Sequence, residues 1–431
     1  MSRNLLFLFA DKIIRLFLGL IITSWVVQYL GPSNFGLISY SLVIVYFVSP
    51  MINLGFDSIL LRELIINESR RSDLLSSAVL LRLIFGIVLS FLIYFFLKYI
   101  YPVDENIFFS IFILLGATIL TSLTTVFDTY FQSIHKNYYS IIIQFIPLII
   151  VFLFRIYLIK NEANVIYFVA CYLVESFLCL VLVLLFFKFK FGFFIFRLNI
   201  GLSKILVTNG FPIILSILAI AIFTKIDQFY IKKYLGLDIL GTYTAALRVS
   251  DLLFIIPLVL NTLFYPDLVK VYSKSVKLFR VIYSFSILFY LTLIVSLTTF
   301  LLSDFIILFL YGEKYLLSIN VLRTFSLLSV LSGLGVFISS LLFVKNAHKY
   351  ATISAIIGGC TSVLLNSFLT PKYGLNGVLC AAIVSQFFSL FSLFIISKQA
   401  RDVFLIFVSS LNLFRTTKFV IKYLKIKINH V

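Results

Sequence analysis

The sequence predicts an all-α polytopic membrane protein, with about twelve transmembrane helices in two six-helix lobes related as parallel repeats. Three observations predict it. Hydrophobic residues make up 62% of the chain and charged residues 12%, whereas a soluble domain is about 45–50% apolar and about 25% charged. The apolar residues gather into runs long enough to cross a hydrocarbon core of about 30 Å, which takes about 20 helical residues. The stretch Tyr29-Leu30-Gly31…Gly36 also returns as Tyr234-Leu235-Gly236…Gly241, an offset of 205 residues, and each copy sits between two apolar runs. A β-barrel would need short alternating segments, and these runs are continuously apolar.

Hydropathy places the spans at 5–27, 37–60, 78–98, 107–131, 140–159, 165–187, 205–230, 242–264, 281–302, 319–344, 351–369 and 378–397. Short connections leave no room for an extramembrane domain. The expected organisation is an N-terminal lobe over 1–200, a C-terminal lobe over 201–397 and a basic cytoplasmic tail over 398–431. A moderately apolar stretch around 403–413 suits the tail to a membrane surface. The first span holds Asp11, Lys12 and Arg15 and is followed by no small-residue cleavage site, so it reads as a helix rather than a cleavable signal.

Orientation follows from the basic residues. The N-terminus, the loops after the even-numbered spans and the tail hold 22 of the 35 Lys and Arg, against six (Lys98, Lys160, Lys232, Lys233, Lys314, Lys372) in the opposite loops. Both termini are therefore expected in the cytoplasm. The net charge of +18 reads as a topology signal and a contact with lipid headgroups, with no nucleic acid among the partners. Cys171, Cys179, Cys360 and Cys380 all fall inside apolar spans and read as small core residues. With the three histidines in loops or the tail, no metal or cofactor is expected.

The second half echoes the first beyond the opening stretch. Pro50 finds Pro257, and His135-Lys136 finds His348-Lys349, in the same order and with slowly growing offsets. Six spans per half is an even number, so both halves enter from one side, as parallel repeats do. The remaining seven basic residues (Lys12, Arg15, Arg82, Arg155, Lys225, Arg248, Arg323) and six acids (Asp11, Asp57, Asp128, Glu175, Asp227, Asp251) lie within spans. Each charge at a helix centre costs about 2.5–3.5 kcal/mol on insertion scales, so they imply a polar interior.

Five groups of residues carry a resemblance. They are Tyr29-Leu30-Gly31-Pro32…Phe35-Gly36 with Leu54-Gly55-Phe56 and Leu61-Arg62-Glu63; Asn209-Gly210-Phe211-Pro212 leading to Thr224-Lys225-Ile226-Asp227-Gln228; Gly241-Thr242-Tyr243-Thr244-Ala245-Ala246; Tyr311-Gly312-Glu313-Lys314-Tyr315; and Pro371-Lys372-Tyr373-Gly374-Leu375-Asn376-Gly377. In this order they resemble the polysaccharide-transporter (Wzx-type) flippases of the multidrug/oligosaccharidyl-lipid/polysaccharide exporter superfamily. The resemblance implies a bacterial inner-membrane protein that turns undecaprenyl-diphosphate-linked oligosaccharide from the inner to the outer leaflet by alternating access of two lobes. Its implied setting is O-antigen (lipopolysaccharide) or capsule assembly, with a polymerase and chain-length proteins of the same pathway as partners.

A diphosphate in a low-dielectric site needs cations. Arg15, Lys225 and Arg248 are the leading substrate-binding candidates, followed by Arg155 and Lys12. Bland readings compete. Asp11 and Arg15 are spaced i,i+4 and Arg248 and Asp251 i,i+3, so each pair can neutralise itself. Arg82 and Arg323 lie near span ends, where long side chains snorkel to headgroups. Ion coupling would need an intramembrane acid, for which Glu175 and Asp227 are the candidates, with a structural pairing to an Arg on a neighbouring helix as the alternative. Pro50 and Pro257 each remove a helix hydrogen bond and are the candidate hinges, or static bends. Most Phe reads as lipid-facing bulk, and Tyr40 or Tyr243 could stack on sugars. Gly31 and Gly36 read as a tight turn and a close helix approach rather than chemistry.

Two other functions compete. A drug or cation exporter of the same superfamily favours acidic over basic cavity residues. A membrane glycosyltransferase or O-antigen polymerase needs a sizeable outer loop, and this chain has none, nor any nucleophile constellation or phosphate-cradling glycine loop.

Overall fold

The computed structural model describes residues 3–192, 199–273, 279–344, 347, 349–396 and 401, with side chains from residue 19 onward except 263, 266, 267 and 269–284. Every regular element among them is helical: α1 (Arg3–Asn53), α2 (Asp57–Ile66), α3 (Arg71–Phe95), α4 (Glu105–Ser133), α5 (Tyr138–Lys160), α6 (Val165–Phe191), α7 (Ile200–Leu235), α8 (Leu237–Ser273), α9 (Phe279–Leu301), α10 (Ser303–Tyr311), α11 (Ser318–Val344) and α12 (Lys349–Ile396). The all-α class follows from the bilayer itself. Only a helix satisfies its own backbone within one segment when no water is at hand.

Nine helices among the described residues are long and apolar enough to cross a membrane, or ten if Phe285–Leu301 and Ser303–Tyr311, bent by 66°, make one span. Two of the nine, Gly19–Ile66 and Lys349–Ile396, each run across two of the spans expected from hydropathy. The reason is local. α1 is broken at Gly31 and α12 at Gly374, single non-helical residues inside otherwise continuous helices. On α3 the side chains of Ile84, Ile87, Val88, Phe91, Leu92 and Phe95 are exposed. Such a stripe is unfavourable in water by about 25 cal/mol per Å² and natural against lipid.

The chain divides into two compact units, Met1–Gly241 and Thr242–Val431. In unit 1, α4 lies against α6, α1 and α3, and α1 runs along α7. Its core joins Phe56, Leu60 and Leu64 to Leu75, Phe127, Phe131, Phe187 and Leu206. In unit 2, α9 packs on α11 and α11 on α12, around Phe285, Leu288, Phe337, Leu341 and Leu393. Phenylalanine is therefore core as well as lipid-facing bulk. Aromatic pairs prefer edge-on contacts worth about 0.5–1.5 kcal/mol beyond area, and Phe127 and Phe131 meet Phe187 and Phe186 in that way. Of the cysteines only Cys171 is buried; Cys179 is half-buried, and Cys360 and Cys380 are exposed on α12. A small apolar side chain suits a lipid face as well as a core.

The twin motifs behave alike. Gly31 sits at φ 71°, ψ 173° and Gly236 at φ 90°, ψ −179°, a region open essentially only to glycine. One turn on, the closing glycines of the two copies meet. A Cβ on Gly36 would lie 2.0 Å from the Leu237 carbonyl oxygen, and one on Gly241 would lie 1.9 Å from the Pro32 carbonyl oxygen. Residues Gly31–Gly36 and Gly236–Gly241 thus clasp one another backbone to backbone within unit 1. A second crossing joins two further motifs, where Gly55 and Gly210 bring the end of α1 against α7.

Candidate substrate-contacting residues

A cation can bind an anionic ligand only where an anion can approach it, so each cation's partners decide what it can do. Lys12 and Arg15 lie on α1, outside the described side chains. Arg155, on α5, has its guanidinium 5.1 Å from the Tyr172 ring centre and Nη2 3.9 Å from Glu175 Oε2 on α6. The geometry gives this cation and this acid to each other. Lys225, on α7, is half-buried, and its Nζ lies 5.9 Å from the ring centre of Tyr46 on α1. Arg248, on α8 in unit 2, is exposed. Among the described residues no ion pair joins it to Asp251, so the expected self-neutralisation within α8 does not occur. The i,i+3 spacing permits a contact, and the side chains do not make it.

Arg82 departs most from expectation. Far from snorkelling to a headgroup, it is fully buried and staples the break between α1 and α2. Its Nη2 donates to the Asp57 carboxylate and to the Asn53 carbonyl at 3.2 Å. Nη1 donates to the Ser122 carbonyl and to Thr125 Oγ1 on α4, both at 2.6 Å. The guanidinium also lies 4.9 Å from the Phe56 ring centre. Position near a span end carries no information on which way a long side chain turns, and here the carbonyls freed by the break draw it inward. Arg323, on α11, is held at a helix corner instead, by Ser303 Oγ at 2.9 Å and Asp304 Oδ2 at 2.5 Å.

The acids and prolines are placed as follows. Asp227 is buried, and its Oδ1 accepts the Gln228 amide at 2.8 Å. Asp128 accepts from Gln144 Nε2 at 2.8 Å. α1 stays helical through Pro50, and the backbone departs from helix at Gly31 and again where Leu54 and Gly55 take positive φ. Pro257 rests on α11, its ring carbon 3.2 Å from where a Cβ on Gly333 would stand. Tyr40 and Tyr243 offer no face to a sugar. Both are buried, edge-on to Phe229 and Phe325 respectively. In the Tyr311–Tyr315 motif, Gly312 turns the chain at φ 76°, and burial pushes the Tyr315 phenol up, keeping it a neutral hydroxyl.

The α1–α7 seam of unit 1 concentrates what remains. A cleft of about 380 Å³ is lined by Phe47 of α1, Tyr101 after α3, and Ile226, Phe229, Tyr230 and Lys233 of α7. Around it Lys232 lies 5.1 Å from the Tyr40 ring centre and Lys233 5.1 Å from that of Tyr234. Reasoning from sequence counted Lys232 and Lys233 only as loop charge. The available signal was the helical spacing of Lys225, Phe229, Lys232 and Lys233, which keeps cation and ring on neighbouring faces of one helix.

A family model described as polysaccharide biosynthesis protein matches residues 26–320. No curated protein sequence matches the chain. Among solved structures, the lipid II flippase MurJ in an inward closed conformation aligns with a TM-score of 0.76 at 16% identity, covering 93% of this chain and 90% of that one. An inward-facing multidrug-resistance MATE family transporter of the MOP superfamily gives 0.67 at 16% identity, over 88% and 94%. A MOP superfamily transporter from Pyrococcus furiosus, described as having a binding pocket of reversed polarity, gives 0.60 at 14%, over 89% and 94%. At these identities the likeness establishes the fold.

Proposed function

We propose a flippase for lipid-linked glycans, starting from the fact that the chain belongs to the polysaccharide biosynthesis protein family. Its substrate in this reading is an undecaprenyl-diphosphate-linked oligosaccharide. The protein moves it from the inner to the outer leaflet of a bacterial inner membrane, with both termini in the cytoplasm, for O-antigen or capsule assembly. The observation that carries the reading is the combination of that family with a fold shared with a lipid II flippase over 93% of the chain.

The cations supply the chemistry. Among the described residues neither Arg248, which is exposed, nor Lys225, which lies near a tyrosine ring, makes an ion pair. Each therefore keeps its charge available to a diphosphate, whose attraction grows several-fold as the local dielectric falls. Arg155, committed to Glu175, ranks below them. Drug export, the alternative in the same fold, would draw on carboxylates, and Glu175 and Asp128 are both engaged by neighbouring side chains.

Complementation of a flippase-null strain tests the assignment. Lys225→Ala and Arg248→Ala should each lower surface polysaccharide by about tenfold, the effect of losing one charge-assisted contact of about 1.4 kcal/mol, at unchanged protein level. Full surface polysaccharide from both variants would sink it.

A further inference from the structure

The flippase reading places the diphosphate but leaves the sugars without a contact, and the α1–α7 seam offers one. We propose that the cleft between Phe47, Tyr101, Phe229, Tyr230 and Lys233 is a saccharide subsite that takes the glycan headgroup of the lipid-linked substrate, with preference for a glycan carrying a negative charge. The proposal rests on the flippase reading.

The lining chooses among occupants. Four of its six residues are aromatic, and the one charged residue is a lysine. The C–H faces of a sugar ring pack on an aromatic face through dispersion and weak C–H contacts, which aliphatic walls do not reproduce. An acyl or isoprenoid chain would favour aliphatic walls, and Ile226 is the single aliphatic residue lining the cleft. A drug cation would be repelled by Lys233, with no carboxylate in the lining to offset it. The volume of about 380 Å³ falls in the range of small-ligand sites, roughly 300–1,000 Å³.

The packing pre-forms these walls. Phe229 is fixed edge-on by Tyr40 at 5.6 Å and by Phe47 at 5.4 Å. Tyr230 stacks on Tyr234 at 6.2 Å and 14°. Phe229 and Tyr230 stay half-buried, while Tyr101 and Lys233 are exposed, so rings and ammonium remain open to a ligand. Lys225 and Lys232 flank the seam over Tyr46 and Tyr40. Their charge draws an acidic sugar toward the cleft, a field effect that weakens with salt. The cleft lies toward the end of α7 that carries the second glycine motif, so under the proposed orientation a glycan held here has reached the outer side.

The test uses the full chain in lipid nanodiscs with three probes: undecaprenyl diphosphate bearing an oligosaccharide with one uronic acid, bare undecaprenyl diphosphate, and phosphatidylglycerol. Tyr230→Leu and Lys233→Gln should each weaken binding of the glycan-bearing lipid by about fivefold to tenfold, the usual worth of one stacking or charge-assisted contact. Bare undecaprenyl diphosphate should stay within about twofold of wild type, since the cleft holds sugar and not phosphate. Lys233 is exposed, so its variant keeps the fold even if Tyr230→Leu does not. Equal binding of the glycan-bearing lipid by wild type and both variants overturns the subsite. So does equal weakening of all three probes, which would make the cleft a lipid-headgroup site. If the wild type binds neither undecaprenyl lipid, the flippase reading itself falls.

Discussion

Arg82 shows how one side chain can be read wrongly from its address and correctly from its partners. It is the largest fully buried side chain among the described residues, and Asp57, with its side chain 53% exposed, is its counter-charge. The two residues are therefore not equivalent. Removing Asp57 leaves a buried guanidinium uncompensated, a change that costs about 3–5 kcal/mol. Removing Arg82 leaves behind a carboxylate that water or headgroups can reach, and the loss is nearer the about 1–3 kcal/mol of unsatisfied carbonyls. Asp57→Ala should accordingly lower the melting temperature in detergent more than Arg82→Met does. The reverse order would mean that the pair is not the staple of the α1–α2 break.

At the scale of elements, the family motifs turn out to be places where helices break or touch. The Gly36–Gly241 clasp leaves no room for a methyl group, because the obstacles are backbone carbonyls that cannot rotate away. Gly36→Ala and Gly241→Ala should each destabilise the fold by about 1–3 kcal/mol or more, seen as lost monodispersity and a lower melting temperature. Gly335→Ala is the control. That glycine has nothing within 4 Å of its would-be Cβ, so the substitution should stay within about 1 kcal/mol of neutral, helix propensity favouring alanine. Gly31→Ala separates strain from sterics. Its surroundings are also open, and only its φ of 71° opposes a side chain, at about 1–3 kcal/mol. Equal tolerance of Gly36→Ala and Gly335→Ala would remove the clasp.

For the molecule as a whole, the acids bear on the energy source. Glu175 faces Arg155, and Asp227, buried on the helix that carries Lys225, is the proposed coupling group, since a buried carboxylate is the kind of site a transported proton uses. Glycan translocation in vesicles should fall when the proton and sodium gradients are collapsed, and Asp227→Asn should abolish that dependence. Translocation indifferent to both gradients would leave the exchange driven by downstream consumption of the product alone.

The sequence by itself determined the membrane class, the helical architecture and the repeated motif, because each is written in local quantities. Run length against bilayer thickness, continuous apolarity against alternation, and a glycine spacing that recurs are all visible without a fold. It also foretold that Gly31 and Gly36 serve structure. Only the tertiary structure decided which charges are committed. Arg155 with Glu175, Arg82 with Asp57 and Arg323 with Asp304 are pairings across helices, and spacing along one helix is silent about them. The same holds for the aromatic cleft, whose walls come from α1, the turn after α3, and α7. In a bilayer every helix is apolar, so hydropathy cannot tell a lipid face from a partner face. What separates them is the close approach of backbones and the few polar atoms that must find one another, and both are properties of packing.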